Sequence, residues 1–235
     1  MECFVIFVIA WCWCNATESK PQNVVRNMKK TLLLILAFSI FPLLNSCGIK
    51  YSTTELESNF TDKEIDDLRN ITDFFIQSVC GNKDFENCYK KTNHDSLMMQ
   101  GTGFWEKIDF AEQKKLYEKI SKTTFDKIWM YCESTYYPSK TKSQVICAVA
   151  LGKYQNYLAD LGKVNPRIAK YADRIQASGA FSGFDIQYQE ILKPNSDFDL
   201  NDPNIQLILA IHYLTLNDEM KRNAHLMEQN EPTFE

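Results

Sequence analysis

A histidine beside an aspartate is the smallest constellation that can move protons, and this chain has one in the stretch Asn93-His94-Asp95. An imidazole oriented by a carboxylate serves as a general base near neutral pH. A lone pair of this kind in a polar stretch reads first as solvated surface, and that is the reading adopted. Glu106 and Asp109 are a second candidate, next to the flexible aromatic stretch Gly101-Thr102-Gly103-Phe104-Trp105. Enzymes that cut glycans rest on such carboxylates when burial raises the pKa of one of them. Asp109 with Glu112, however, has the spacing of a helix cap, which puts Phe104 and Trp105 in the core. Asp197, Asp199 and Asn201 alternate like the first half of an EF-hand calcium loop. The likeness fails at Asp202, where the turn glycine belongs, and at Ile208, where the bidentate glutamate belongs. His212 lies in the most apolar segment and reads as a hydrogen-bonded core residue, and His225 lies near a helix end, where it meets the dipole favourably. No Ser-His-Asp or Cys-His pattern and no glycine-rich phosphate loop emerges, so no catalytic, metal or cofactor site is assigned.

The segment that carries most information precedes all of these. Met28-Lys29-Lys30 is a short basic stretch, Thr31 to Leu44 is almost unbroken apolar sequence, and Leu44-Asn45-Ser46-Cys47 ends it. That order is the one a secretory signal requires. The apolar run is shorter than the roughly 20 residues that cross about 30 Å of hydrocarbon as a helix. Leu44-Asn45-Ser46-Cys47 resembles a lipobox, and the segment is similar to the signal peptides of bacterial lipoproteins, with Asn45 as in the Bacteroidota. The resemblance implies that residues 28–46 are removed, that lipid on the Cys47 thiol anchors the chain to a membrane, and that Cys47 makes no disulfide. Gly48-Ile49-Lys50-Tyr51 lacks the acidic residues that follow the lipidated cysteine in surface-exported members, which implies an outer-membrane protein facing the periplasm. Residues 1–27, with the apolar Phe4 to Cys14, read as an upstream extension, with Met28 the true start.

From Cys47 onward 189 residues remain, enough for one domain with a real core. Their formal net charge is −6, against −4 for the whole chain, because the first 46 residues hold four basic and two acidic groups. An acidic domain is a poor nucleic-acid binder. Cys80, Cys88, Cys132 and Cys147 follow the anchor, an even number in an exported chain, which reads as two disulfides. Of the three connectivities, Cys80–Cys88 and Cys132–Cys147 are favoured, because each staples neighbouring elements across a short turn. A zinc site is the weaker reading, since no CxxC pair is present.

The elements that would position these residues are mostly helices. Thr61 with Glu64 is a capping box, followed by Ile65, Leu68, Ile71, Phe75 and Val79 at helical steps and by Gly81 as a stop. Asp109 with Glu112 opens a second helix carrying Phe110, Leu116, Tyr117 and Ile120. Ile128, Trp129 and Tyr131 sit on a short element of either type, and Val145 to Leu161 reads as a longer buried helix in spite of Gly152. Asn165-Pro166 and Asp202-Pro203 each place proline in a first helical turn, opening helices over Ile168–Ile175 and Ile205–Leu216. The fold predicted is therefore all-α, a disulfide-braced bundle of one domain over residues 61–227. Residues 47–60 form the lipid anchor and polar tether, and residues 228–235 a C-terminal tail.

Tyr136 and Tyr137 precede Pro138 between the cysteines of the second pair, a braced loop suited to partner contact, and they are the candidate binding surface. Two functions are compatible with these features. The first is a non-enzymatic, membrane-anchored lipoprotein that binds an envelope or secreted protein, as toxin-neutralising immunity proteins do. The alternative is an envelope glycan hydrolase or glycan-binding lipoprotein.

Overall fold

The computed structural model describes residues 51–81, 83–136, 140–181 and 186–224. Cys47, the signal segment, the upstream extension, Tyr137, His225 and the C-terminal tail lie outside the described residues, as does the side chain of Tyr136. Ten α-helices, one 3-10 turn and two strands are described. In chain order they are α1 (Thr54–Asn59), α2 (Asp62–Cys80), α3 (Phe85–Lys91), α4 (His94–Met99), the 3-10 turn (Phe104–Lys107), α5 (Phe110–Lys119) and α6 (Lys122–Ile128). The strands β1 (Trp129–Tyr136) and β2 (Thr141–Ala148) come next, then α7 (Lys153–Gly162), α8 (Pro166–Ser178), α9 (Tyr188–Leu192) and α10 (Pro203–Arg222). The fold is mostly helical, with a small antiparallel hairpin added.

Helix α10 is the axis of the bundle. Asp202 accepts a hydrogen bond from the Asn204 amide at 2.8 Å, Pro203 occupies the first turn, and Lys221 and Arg222 meet the negative end of the dipole. Its buried residues run around the whole circumference, from Leu207, Ile208 and Leu209 to Ile211, Tyr213 and Leu214. A helix apolar on every side has to be enclosed, and α2, α5, β2 and the 3-10 turn all pack against it. Among the described residues no helix is long and apolar enough to cross a membrane.

Helix α2 forms as its caps dictate. The Glu64 carboxylate accepts from the Thr61 backbone N–H at 3.0 Å, and Leu68, Ile71 and Phe75 are fully buried on one face. The same helix supports another one. Asp67 accepts from the Ser121 backbone N–H at 3.0 Å, the Ser121 hydroxyl at 2.5 Å and the Thr124 hydroxyl at 2.7 Å, so a buried carboxylate seats the positive end of α6.

Two expectations are corrected here. Val145 to Ala148 is strand, and the helix begins only at Lys153. Gly152, at φ +138°, takes a backbone conformation closed to other residues and ends any continuity between the two. A short apolar run carries no period of its own, and here its pairing with β1 decides the matter. Trp129 pairs with Ala148 and Tyr131 with Ile146, so Trp129, Ile146 and Ala148 face the core. The bundle is mostly helical, as expected, with this one hairpin added.

The second correction concerns the tether, which is packed from Tyr51 onward. Thr53 caps α1, Leu56 is fully buried, the Tyr51 hydroxyl meets Thr72 Oγ1 at 3.0 Å and Asn59 donates to Asp160 at 2.9 Å. Leu56 and Phe60 supply apolar anchors that a free tether lacks. Elsewhere, α7 and α8 approach so closely that a Cβ on Gly162 would lie 2.9 Å from the Ala169 Cα, so only glycine fits there.

Candidate functional site at the α4 ridge

The chemistry-bearing residues converge on α4, a helix of six residues. Asn93 starts it by accepting from the Ser96 backbone N–H at 3.0 Å, and Thr102 finishes it by donating to the Leu97 carbonyl at 3.1 Å. His94, expected at the surface, is buried. Its ring stacks on Tyr188 with centroids 4.9 Å apart and lies 4.5 Å from Tyr89, while Nε2 sits 2.9 Å from the Tyr89 carbonyl. A carbonyl only accepts, so Nε2 carries the proton. Burial pushes the imidazole pKa down against the pull of that bond and of Asp95. Asp95 points elsewhere, accepting from the Tyr188 hydroxyl. His94 is thus a neutral pin that holds α4 onto the aromatic cluster.

Pinning α4 in this way raises two large apolar side chains into solvent, Met98 at 55% exposure and Met99 at 89%. On one flank of this crest a groove of about 710 Å³ runs along α3. It is lined by Lys83, Lys91 and Lys107 with Asn87, Thr92 and Ser96, and Val79, Leu97 and the Cys80–Cys88 disulfide line it as well. On the other flank lies a pocket of about 210 Å³ formed by Phe104, Trp105, Ile186, Tyr188, His212 and Tyr213. His212 is buried there with Nδ1 at 3.3 Å from the Tyr171 hydroxyl, and burial lowers its pKa to about 3. Tyr89 and Tyr213 join their hydroxyls at 2.8 Å beneath. Both imidazoles are neutral and packed, so what this pocket offers is aromatic contact.

A second surface lies at the hairpin. Lys114, Tyr117, Phe125, Met130, Tyr131 and Arg222 surround a groove of about 720 Å³. The Arg222 guanidinium is fixed by two 2.6 Å bonds to Asp218 and lies 5.6 Å above the Phe110 ring and 5.1 Å above that of Tyr131. Cys132 and Cys147, with Cα atoms 6.1 Å apart, lie diagonally on the opposite face of the hairpin from Trp129 and brace it. The Cys80–Cys88 pair, 5.8 Å apart, ties α2 to α3.

No family model, curated protein or solved structure matches this chain. The residues alone therefore have to carry the functional argument.

The other sequence candidates do not gather into a site. Asp109 caps α5, accepting from the Ala111 and Glu112 amides at 2.7 and 3.0 Å, while Glu106 is exposed and its carbonyl accepts from Lys221 at 3.2 Å. Phe104 and Trp105 are core residues, as the cap reading requires. Asp199 accepts from the Asn201 amide at 2.9 Å, the Asp197 carbonyl accepts from Asn165 at 3.0 Å, and Asp202 caps α10, so the alternating oxygens serve the loop itself. Among the described residues no cluster of His, Cys, Asp and Glu could hold a metal ion. Sequence reasoning missed the three lysines and the methionine pair. Adjacent methionines in polar surroundings were a visible signal, whereas Lys83, Lys91 and Lys107 meet only once the chain is folded.

Proposed function

We propose that this chain is a lipid-anchored docking module of the bacterial cell envelope, which binds another protein across the α4 ridge. The observation that carries the reading is the exposed Met98 and Met99 pair on a pinned helix with a groove on either side. Methionine is enriched at protein interfaces, where its flexible, polarisable side chain adapts to a partner, and two of them at these exposures form an apolar crest that the fold leaves largely uncovered. His94, Tyr188 and the Cys80–Cys88 disulfide fix the backbone beneath it, so little ordering entropy is lost on binding. The anchor rests on the Met28–Cys47 segment, and radiolabelled fatty acid incorporated by the whole chain, and lost in Cys47→Ala, tests it.

The docking reading is tested in cells with a photo-crosslinking residue at position 99 of the full chain. A single discrete adduct with one protein, competed away by untagged chain, is the outcome expected. Absence of any adduct at position 99, with adducts forming from a control position on the hairpin groove, transfers the binding surface to the hairpin.

Glycan contact is the second reading, favoured by Tyr131. This ring is 45% exposed and backed by the fixed Arg222, a platform of the kind on which a sugar ring stacks. Sedimentation of the chain with purified peptidoglycan, abolished by Tyr131→Ala, would establish it.

A further inference from the structure

Resting on the docking reading, we propose that the partner presents an acidic segment with an apolar anchor. Its carboxylates lie among Lys83, Lys91 and Lys107, and its apolar side chain lies against Met98 and Met99.

The charge of the groove carries this step. The three lysines come from three different elements, the α2–α3 turn, the end of α3 and the 3-10 turn, and all three are exposed. None of them has an ion pair among the described residues, while Lys90, Lys115, Lys127, Lys142, Lys163 and Lys193 all do. The acids nearby are already engaged. Asp84, the one carboxylate lining the groove, accepts from the Asn87 backbone N–H at 2.9 Å and from its side-chain amide at 3.1 Å. Glu86 is held by Lys90 and by Asn201, whose amide donates to it at 2.8 Å.

Three ammonium groups therefore face one concave surface against the single carboxylate of Asp84, with which none of them pairs, on a domain whose overall balance is negative. Concave walls focus such a field and raise the local concentration of anions. The cationic positions are also fixed relative to one another. The Cys80–Cys88 disulfide sets the α2–α3 turn, and buried Phe104 and Trp105 anchor the 3-10 turn that carries Lys107.

The same balance chooses among anionic partners. A long polyanion would be repelled by the acidic surface beyond the groove. A cleft of about 710 Å³ accommodates a short stretch, with Val79 and Leu97 giving its wall apolar character. The methionine crest, on the helix whose Ser96 and Leu97 line the cleft, adds an apolar contact beyond the charges. Acid next to an apolar anchor on an extended protein segment satisfies both features at once.

The test uses the full chain in detergent and a fluorescent peptide of alternating Glu and Leu, followed by anisotropy. Its controls are the same peptide with Lys for Glu and vesicles of phosphatidylglycerol. The acidic peptide is expected to bind, the basic one not to, and the affinity is expected to fall as salt rises. Replacing the lysines together (K83E/K91E/K107E) should weaken binding by about tenfold or more, the neutral K83Q/K91Q/K107Q should weaken it less, and M98A/M99A should weaken it by about threefold.

Unfolding midpoints equal to that of the parent chain show that these exposed substitutions leave the fold intact. Equal binding by the lysine variants, or no peptide binding at all, overturns the acidic-segment proposal. Vesicle binding lost in the same variants, without peptide binding, overturns it in favour of lipid headgroups. The position-99 crosslink separates the two levels: an adduct with lysine-independent affinity keeps the docking reading and rejects the acidic partner, and loss of both rejects both.

Discussion

The hairpin end and the α4 end of the molecule use polar groups in opposite ways. Around the hairpin they are turned inward and mostly paired: Gln113 Nε2 donates to the Leu214 carbonyl at 2.7 Å and to the Tyr117 hydroxyl at 2.6 Å, and its Oε1 accepts from Asn217 at 2.6 Å, whose own Oδ1 has no partner among the described residues. Nearby the Trp129 indole donates to Thr215 at 2.9 Å, and Thr215 returns its own proton to the Ile211 carbonyl at 2.8 Å. Around α4 the ammonium groups of Lys83, Lys91 and Lys107 are turned outward without an ion pair among the described residues, beside exposed methionines. Both ends draw on the same helix, with Leu214, Thr215 and Asn217 of α10 serving one and His212 and Tyr213 the other. Paired polar groups inside hold the fold in one arrangement, and unpaired ones outside remain available to a second molecule.

The hairpin half of this comparison is the one to break first, because its effect on stability is the largest. Gln113→Ala takes the partner from the Asn217 amide and the Tyr117 phenol, strips the Leu214 carbonyl of its second donor and opens a cavity. Urea unfolding should show a loss of about 3 kcal/mol or more. Peptide binding at the ridge should persist in whatever fraction stays folded. A loss under about 1 kcal/mol would mean that water replaces the network, and the end would then not be sealed as described.

The disulfides come next and sharpen the contrast. Cys132 and Cys147 are 15 residues apart in sequence and Cys80 and Cys88 are 8 apart. Chain entropy alone makes their removal cost about 3 and about 2.5 kcal/mol respectively. The stability losses should therefore be close, while the effects on binding should separate. Replacing Cys80 and Cys88 with serine frees the wall of the lysine groove and should weaken the acidic peptide, whereas replacing Cys132 and Cys147 should leave its affinity unchanged. Equal effects of the two pairs on affinity would show that the groove does not depend on its own brace.

Acid and base act on one face of α10 with opposite sign, His212 and Glu219 lying two turns apart on it. Burial depresses His212 to about 3, so its contribution is complete above about 6.5, the ordinary imidazole value, and is lost as the pH falls towards 3. Burial, and then Asp218, raises Glu219 to about 7, so its contribution is complete below about 4.5 and is lost as the pH rises through 7. Between about 4.5 and 6.5 the slopes of His212 and Glu219 oppose, and the shallower fall on acidification that remains comes from His94, which burial also depresses. Glu219→Gln removes one of the opposing slopes. Thermal midpoints of that variant should fall more steeply on acidification than those of the parent, and should no longer decline on passing pH 7. Parallel curves for the two proteins would show that Glu219 is solvated.

How much of this was legible beforehand follows from element length and from where partners lie. The helices α2, α5, α8 and α10 announce themselves, because capping boxes and Asn-Pro or Asp-Pro openings are local chemistry read within four residues. The helices α1, α3, α4, α6 and α9 have five to seven residues, too few to show a period of 3.6 above their loops. Val145 to Ala148 misled for a related reason, since an apolar run of strand length takes its type from its neighbour. The ridge was hidden more deeply. His94 reads as a surface residue until Tyr89 and Tyr188, far apart in sequence, close on its ring, and the three lysines share no spacing at all.

The smallest expected effect on stability is the one that isolates function. Met98 and Met99 touch little, so Met98→Asp with Met99→Asp should change the unfolding free energy by no more than about 0.5 kcal/mol, the usual range for exposed positions. The same pair places two negative charges on the helix whose Ser96 and Leu97 line the lysine groove. An acidic partner then meets repulsion where it had apolar contact, and the loss of affinity should exceed that of the alanine pair, which removes contact only. A less acidic partner would tolerate the aspartates as well as the alanines. The ratio of the two affinities, measured at low salt and again at high salt, therefore reads the charge of the partner directly. It should approach one as screening removes the repulsion and leaves only the missing methionine contact.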